Sequence, residues 1–207
     1  MTMLNAVSPG IKVLFERFGR PEIINRPDLI GTGGAGAIIA CNHVGWADSL
    51  WLAYAVYPRP LRYLSKQELF RSPLSRWALH QAGSIPIDRT DPSPSSIKSV
   101  VDSLRNGEII LIFPSGTRTA STIAFKRGAA TIALHAEVPL VPAFYRGPKS
   151  MLPAHMINRP RVQVSFGTPI PTLGLGGGKQ AIATLTVQLQ KAIDDLRASA
   201  TSELSAA

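Results

Sequence analysis

Short runs of branched and aromatic residues recur along this chain at 37–41, 61–65, 84–87, 108–113 and 140–145, and most are separated by stretches with apolar residues at helical spacing. That alternation predicts an α/β fold: a single domain with a central, mostly parallel or mixed sheet flanked by helices. Residues 8–19 predict a short N-terminal amphipathic helix, since Ser8 can cap, Pro9 suits the first helical position, and Ile11, Leu14, Phe15 and Phe18 share a stripe that Lys12, Glu16 and Arg17 mostly avoid. That stripe suits either the protein core or a lipid interface. Residues 93–106 predict a second helix, with serine near its start, Ile97, Val100, Val101 and Leu104 on one face, and Gly107 to end it.

Residues 108–113 read as a buried strand that delivers Pro114 and the following residues into a loop, where open α/β sheets collect ligand-binding groups. Residues 161–166 alternate polar and apolar, which predicts a late strand with one wet face. After a glycine-rich link at 174–178, residues 180–196 carry Ile182, Leu185, Leu189, Ile193 and Leu196 near one face of a helix, and fraying is expected from about Ala198. The expected organisation is an amphipathic segment at 1–30, a main domain at 31–197 and a frayed tail at 198–207. No internal repeat is apparent.

At 207 residues the chain is long enough to bury one core. Its net charge of +9 implies attraction to anionic surfaces or substrates, an anionic membrane surface among them, without by itself choosing between phospholipid and nucleic acid or exceeding what solubility asks; no nucleic-acid motif accompanies it, so nucleic acid is not an expected partner. No apolar stretch reaches about 18 residues, so no transmembrane helix is expected, and the N-terminus lacks the layout of a signal peptide. Together these predict a cytoplasmic protein, peripheral on the inner face of the membrane. Cys41, the single cysteine, excludes an intramolecular disulfide and sits among Ile38, Ile39 and Ala40 as a small core hydrophobe, a thiol nucleophile being the less favoured alternative.

The candidate chemistry centres on Cys41-Asn42-His43-Val44-Gly45-Trp46-Ala47-Asp48. A histidine able to take a hydroxyl proton and a carboxylate able to hold its other ring nitrogen make a catalytic dyad. Five positions is the wrong spacing for contact along a helix, so a turn must intervene, with Gly45 as its flexible point. Equally open on this segment alone, Asp48 is only a helix cap and His43 a buried polar group.

Three further motifs follow in order: Leu69 to Arg89 (LFRSPLSRWALHQAGSIPIDR, preceded by Lys66-Gln67-Glu68), Phe113 to Thr119 (FPSGTRT) and Val138 to Ala143 (VPLVPA). With Asn42-His43-x4-Asp48, the stretch from about 38 to 145 resembles the glycerolipid acyltransferase family that includes lysophosphatidic acid acyltransferases. The resemblance implies catalysis by His43 and Asp48, and acceptor phosphate binding by Lys66, Arg89, Gly116, Thr117 and Arg118, with 31–197 as the acyltransferase domain. Acyl-CoA or acyl carrier protein would be the co-substrate, a lysophospholipid or lysophosphatidic acid the acceptor, and no metal or redox cofactor is implied. Ser115 departs from the family's usual glutamate, exchanging a two-oxygen acceptor for a hydroxyl that donates as well as accepts, and so bears on the choice of acceptor.

Two rival readings remain. Ser115 completes a hydrolase triad with His43 and Asp48, although Pro114-Ser115-Gly116 lacks the Gly-x-Ser-x-Gly elbow. Alternatively the chain is a non-catalytic basic module that binds lipid. His80, His135 and His155 have no metal-ligand spacing, and Trp46, Trp51 and Trp77 are expected as core or interfacial anchors.

Overall fold

The structure, a computed structural model, describes residues 9–28, 34, 36–88, 93–114, 127–176 and 178–205. Among these, seven strands form one sheet: β1 (Arg20–Ile24), β2 (Ala37–Cys41), β3 (Leu61–Lys66), β4 (Ser84–Ile87), β5 (Ile109–Ile112), β6 (Leu140–Arg146) and β7 (Arg161–Phe166). Their spatial order is β1-β7-β6-β2-β5-β3-β4. The five strands from β6 to β4 run parallel, β7 turns back antiparallel on β6, and β1 lies parallel to β7, so the sheet is mixed. The helices are α1 (Pro9–Phe18), α2 (Ala47–Val56), α3 (Pro73–Gln81), α4 (Pro94–Arg105), α5 (Gly128–Ala136), α6 (His155–Asn158) and α7 (Lys179–Ser205).

Two apolar cores lie on opposite faces of the sheet. Ile39, Cys41, Leu111 and Val141 face one core with Trp51, Leu52, Ala55 and Val56 of α2, and Phe15 and Phe18 of α1 pack against it. Ile38, Ala40, Ile110 and Leu140 face the other, with Val100 and Leu104 of α4, Ala129 and Ala133 of α5, and Leu185, Leu189 and Ile193 of α7. A strand covered on both faces needs no polar alternation, which is why β2 and β5 read as unbroken apolar runs.

Three details differ from the sequence pattern. β7 has no wet face: Gln163 and Ser165 are buried as well as Val162, Val164 and Phe166, because α7 packs across β6 and β7. Helix α7 runs through Ser205, past the expected fraying at Ala198; Ala200 is buried and its carbonyl accepts from the Arg146 guanidinium at 2.7 Å. Residues 20–24, expected within the amphipathic segment, form an edge strand, where Pro21 is tolerated at the margin of a sheet. Gly107, by contrast, ends the α4 turn as predicted, with φ of +85°.

Tight backbone packing at Gly36 sets how α4 meets β2. A Cβ there would lie 1.9 Å from the Leu104 carbonyl oxygen, a fixed group of a buried helix end, whereas a Cβ on Gly128 meets nothing within 4 Å. Gly36→Ala is expected to lower unfolding free energy by about 2–4 kcal/mol and Gly128→Ala to be neutral or stabilising by up to ~1 kcal/mol, as measured by denaturant unfolding.

Burial also sets an alkaline limit. The Cys41 thiol is pushed well above its ordinary value of 9.0 by burial first and by the Asp48 charge second, and burial likewise raises the Tyr63 and Tyr145 hydroxyls. The folded state prefers the protonated forms, so this contribution is intact below the unfolded-chain values and is lost as pH rises above them. Unfolding free energy should therefore fall between about pH 8.5 and 11, less steeply in Tyr63→Phe; an identical slope in that variant would refute the assignment.

Candidate active site

Five parallel strands point their C-terminal ends at one edge of the sheet, and the candidate groups gather there. β2 ends at Cys41, and the next residue replaces the missing ladder with a side chain. The Asn42 amide nitrogen donates to the Tyr145 carbonyl at 2.9 Å, and its oxygen accepts from the Tyr145 N–H at 2.7 Å. This two-point clamp fixes where the chain leaves the sheet and therefore where His43 emerges.

His43 meets Asp48 directly: Nδ1 lies 2.8 Å from Oδ2. The same oxygen accepts the backbone N–H groups of Val44 at 2.8 Å and Gly45 at 3.1 Å, while Ser49 Oγ donates to Oδ1 at 3.3 Å. An oxygen already accepting two N–H groups takes a third donor, so Nδ1 carries a proton and Nε2 is the ring nitrogen turned away from the carboxylate. Asp48 is fully buried in the first turn of α2, where the helix dipole favours a negative charge, whereas the His43 side chain keeps 15% exposure. Asp48 is thus more than a cap. The N-cap position is Trp46, which makes no side-chain capping bond.

Phe113, at the end of β5, stacks on the imidazole with ring centroids 4.2 Å apart and planes inclined by 27°. Carboxylate and ring together leave the imidazole little rotational freedom. The Val44 and Gly45 amides, being engaged by Asp48, are not free to hold an oxyanion. Cys41 Sγ donates weakly to Asn42 Oδ1 at 3.4 Å and is fully buried, which fits the small core hydrophobe and not a nucleophile.

Gly45 has a function that the sequence pattern does not reveal. Its φ is not positive; instead, a Cβ would sit 2.0 Å from the Lys149 carbonyl oxygen. The segment after β6 closes over the dyad loop, with the Ala47 N–H donating to the Lys149 carbonyl at 3.3 Å and the Tyr145 hydroxyl to the Pro148 carbonyl at 2.8 Å. Close approach, not flexibility, requires glycine here.

Lys66 is exposed at the end of β3, two strands from β2 across β5, so the ends of the two strands lie about 10 Å apart along the sheet edge. Arg89, Ser115, Gly116, Thr117 and Arg118 lie outside the described residues. Beside Lys66, a cavity of about 500 Å³ is lined by Gln67, Glu68, Phe70, Arg71, Arg76, His80, Pro86 and Asp88, and the last of these immediately precedes Arg89. The cavity does not include His43 or Asp48. Among the other histidines, His80 sits edge-on to Phe70, His135 Nδ1 bonds the Thr131 carbonyl and His155 Nδ1 accepts the Leu152 N–H, all local structural contacts.

Residues 19–146 match the model of a family described as Acyltransferase. The chain belongs to the acyltransferase family. Membership makes it an O-acyltransferase of lipid metabolism, as the four ordered motifs imply. It is 35% identical over 189 residues to a 1-acyl-sn-glycerol-3-phosphate acyltransferase of Bacillus subtilis, covering 90% of this chain and 93% of that protein. A Streptococcus pneumoniae protein of the same name is 37% identical over 134 residues, covering 64% of this chain and 49% of the relative. In fold, the acyltransferase superposes with a TM-score of 0.64 on the crystal structure of the 1-acyl-sn-glycerophosphate acyltransferase of Thermotoga maritima, at 18% identity over 94% of this chain and 78% of that one.

Asn42, Phe113 and Gly45 are the site residues that the sequence does not assign. Asn42 stands in the motif, but its partner lies 103 positions away. If His43 is the base that the resemblance implies, Asn42→Ala should lower kcat about 10- to 100-fold with KM little changed, because it displaces the His43 ring; steady-state kinetics with circular dichroism of the variant checks this.

Proposed function

We propose that this acyltransferase moves a fatty acyl group from a thioester, acyl-CoA or acyl carrier protein, to the free hydroxyl of 1-acylglycerol-3-phosphate or a related lysophospholipid, in phospholipid biosynthesis or remodelling. The observation that carries it is the three-donor grip on Asp48 Oδ2, which holds His43 by Nδ1 and turns Nε2 away from the carboxylate. The names of the relatives in Bacillus subtilis and Streptococcus pneumoniae support the acceptor.

His43 Nε2 removes the acceptor's hydroxyl proton as the oxygen attacks the thioester carbonyl carbon. The Asp48 carboxylate stabilises the imidazolium that forms. As the tetrahedral centre collapses, the new ester C–O bond is kept, the C–S bond breaks, and the imidazolium returns its proton to the departing thiolate. Atoms and charge balance without a metal, redox partner or acyl-enzyme. Lys66 and Arg89 attract the acceptor's phosphate, and Arg118 grips it in fork geometry with the Gly116 and Thr117 amides. Ser115 contacts the acceptor where the family's glutamate would. Basic charge favours a peripheral position on the inner, anionic face of the membrane, and among the described residues no helix is long and apolar enough to cross it.

Purified protein supplied with labelled acyl-CoA or acyl carrier protein, and with 1-acylglycerol-3-phosphate, lysophospholipids or glycerol-3-phosphate, is expected to form the acylated product. His43→Ala should lose ~10²–10⁴ in kcat, and Asp48→Asn a comparable factor, with fold retained by circular dichroism. Undiminished transfer by His43→Ala would overturn the mechanism. Ser115→Ala should alter acceptor preference; abolished chemistry in that variant would instead indicate a serine nucleophile.

A further inference from the structure

Apolar side chains left exposed in this fold are concentrated where the chemistry is. α1 hands the chain to the start of β1, and β1 and β7 run opposite to β6, so the start of β1 lies at the same sheet edge as the ends of β6, β2 and β3. Leu14 on α1, Trp46 in the dyad loop, Trp77 on α3 after β3, and Leu152, Met156 and Ile157 after β6 are all exposed, Ile157 by 85%. Each belongs to a segment that enters or leaves this edge. Exposed Leu173 and Leu175 follow β7, which ends at the opposite edge, and lie outside the group.

The segment at 147–160 is held firmly, and Met151 packs against the core, although Leu152, Met156 and Ile157 are not covered. The Lys149 carbonyl is bonded to Ala47, the Pro148 carbonyl to Tyr145, and the Arg159 guanidinium donates to the Glu16 carbonyl of α1 at 2.9 Å, so α6 and α1 form one continuous ledge. Lys149, Arg17 and Arg71 are exposed from the same segments, in a chain of net charge +9.

We infer that this edge is a membrane-docking surface, in which Leu152, Met156 and Ile157 enter the headgroup–acyl boundary of an anionic phospholipid bilayer beside Leu14 while the basic residues meet its phosphates. The inference rests on the proposed lipid acceptor and deepens it. An acceptor held in a bilayer by its acyl chain presents its hydroxyl at headgroup depth, and apolar side chains buried about 5–10 Å bring a neighbouring dyad to that depth. Trp46 and Trp77 suit the same boundary, each having an apolar body and one polar N–H. Exposed apolar residues with exposed cations on the same segments fit an anionic lipid surface in both chemistry and charge.

Co-sedimentation of the full chain with phosphatidylglycerol-containing and pure phosphatidylcholine vesicles tests this, using the double variant Leu152→Glu/Ile157→Glu and the control Val187→Glu, which is exposed on α7 away from the edge. The wild type is expected to prefer anionic vesicles, the double variant to lose at least about tenfold in partitioning, and the control to match the wild type. Transfer to a long-chain acceptor embedded in vesicles should fall in parallel, while transfer between short-chain, monodisperse donor and acceptor stays unchanged. Wild-type partitioning by the double variant overturns the inference and leaves the proposed function standing. A wild-type dimer that the double variant dissociates, seen by light scattering without loss of partitioning, overturns it in favour of a second copy of the chain. Partitioning lost in the variant when the wild type transfers no acyl group would keep the surface and refute the function.

Discussion

One carboxylate oxygen organises the reacting end of this molecule. Asp48 Oδ2 accepts from the His43 ring and from the backbone of Val44 and Gly45, so a single buried atom fixes both the imidazole and the loop that carries it. A buried carboxylate without such donors would be costly, and a loop without the carboxylate would leave two amides unpaired. Each half makes the other tolerable. The geometry therefore exists only as a unit, and the first turn of α2 supplies the favourable end of a helix dipole for its charge.

That unit is held in place by contacts remote in sequence. The Asn42 clamp to Tyr145 extends the β2–β6 register one step beyond the last backbone pair, Cys41 with Ala143. Phe113 arrives from β5 to cover the imidazole, and residues 148–149 close over Gly45 at backbone contact distance. Three neighbouring strands thus each contribute one restraint. Parallel strands buried on both faces make this possible, because their ends cannot shift without disturbing two apolar cores at once.

The same topology gathers ligand-facing groups at one edge. Lys66 and the cavity beside it lie at the ends of β3 and β4, the dyad at the end of β2, and the exposed apolar ledge after β6. On the proposed reading, phosphate recognition, proton transfer and lipid contact would be lined up along a sheet edge whose strands are about 4.8 Å apart. A lipid acceptor has its charged head and reacting hydroxyl at one end and its apolar chain at the other, and this edge offers matching chemistry in the same plane.

Local sequence determined much of this protein. The apolar runs at 37–41 and 140–145 locate strands because two-sided burial demands unbroken hydrophobicity, and Gly107 marks a helix end because only a residue without Cβ adopts that φ at little cost. His43 and Asp48 were legible as a pair because both sit within six residues, and the ordered motifs identified the family. Tertiary structure decided what depends on partners far along the chain. β7 alternates polar and apolar residues yet is buried on both faces, since α7 covers it; residues 20–24 become a strand only by pairing with β7; Asn42 and Gly45 gain their roles from Tyr145 and Lys149, about a hundred positions away. Periodicity reports which side of an element prefers water, but only packing decides whether water is there, and no spacing rule encodes a contact between distant backbones.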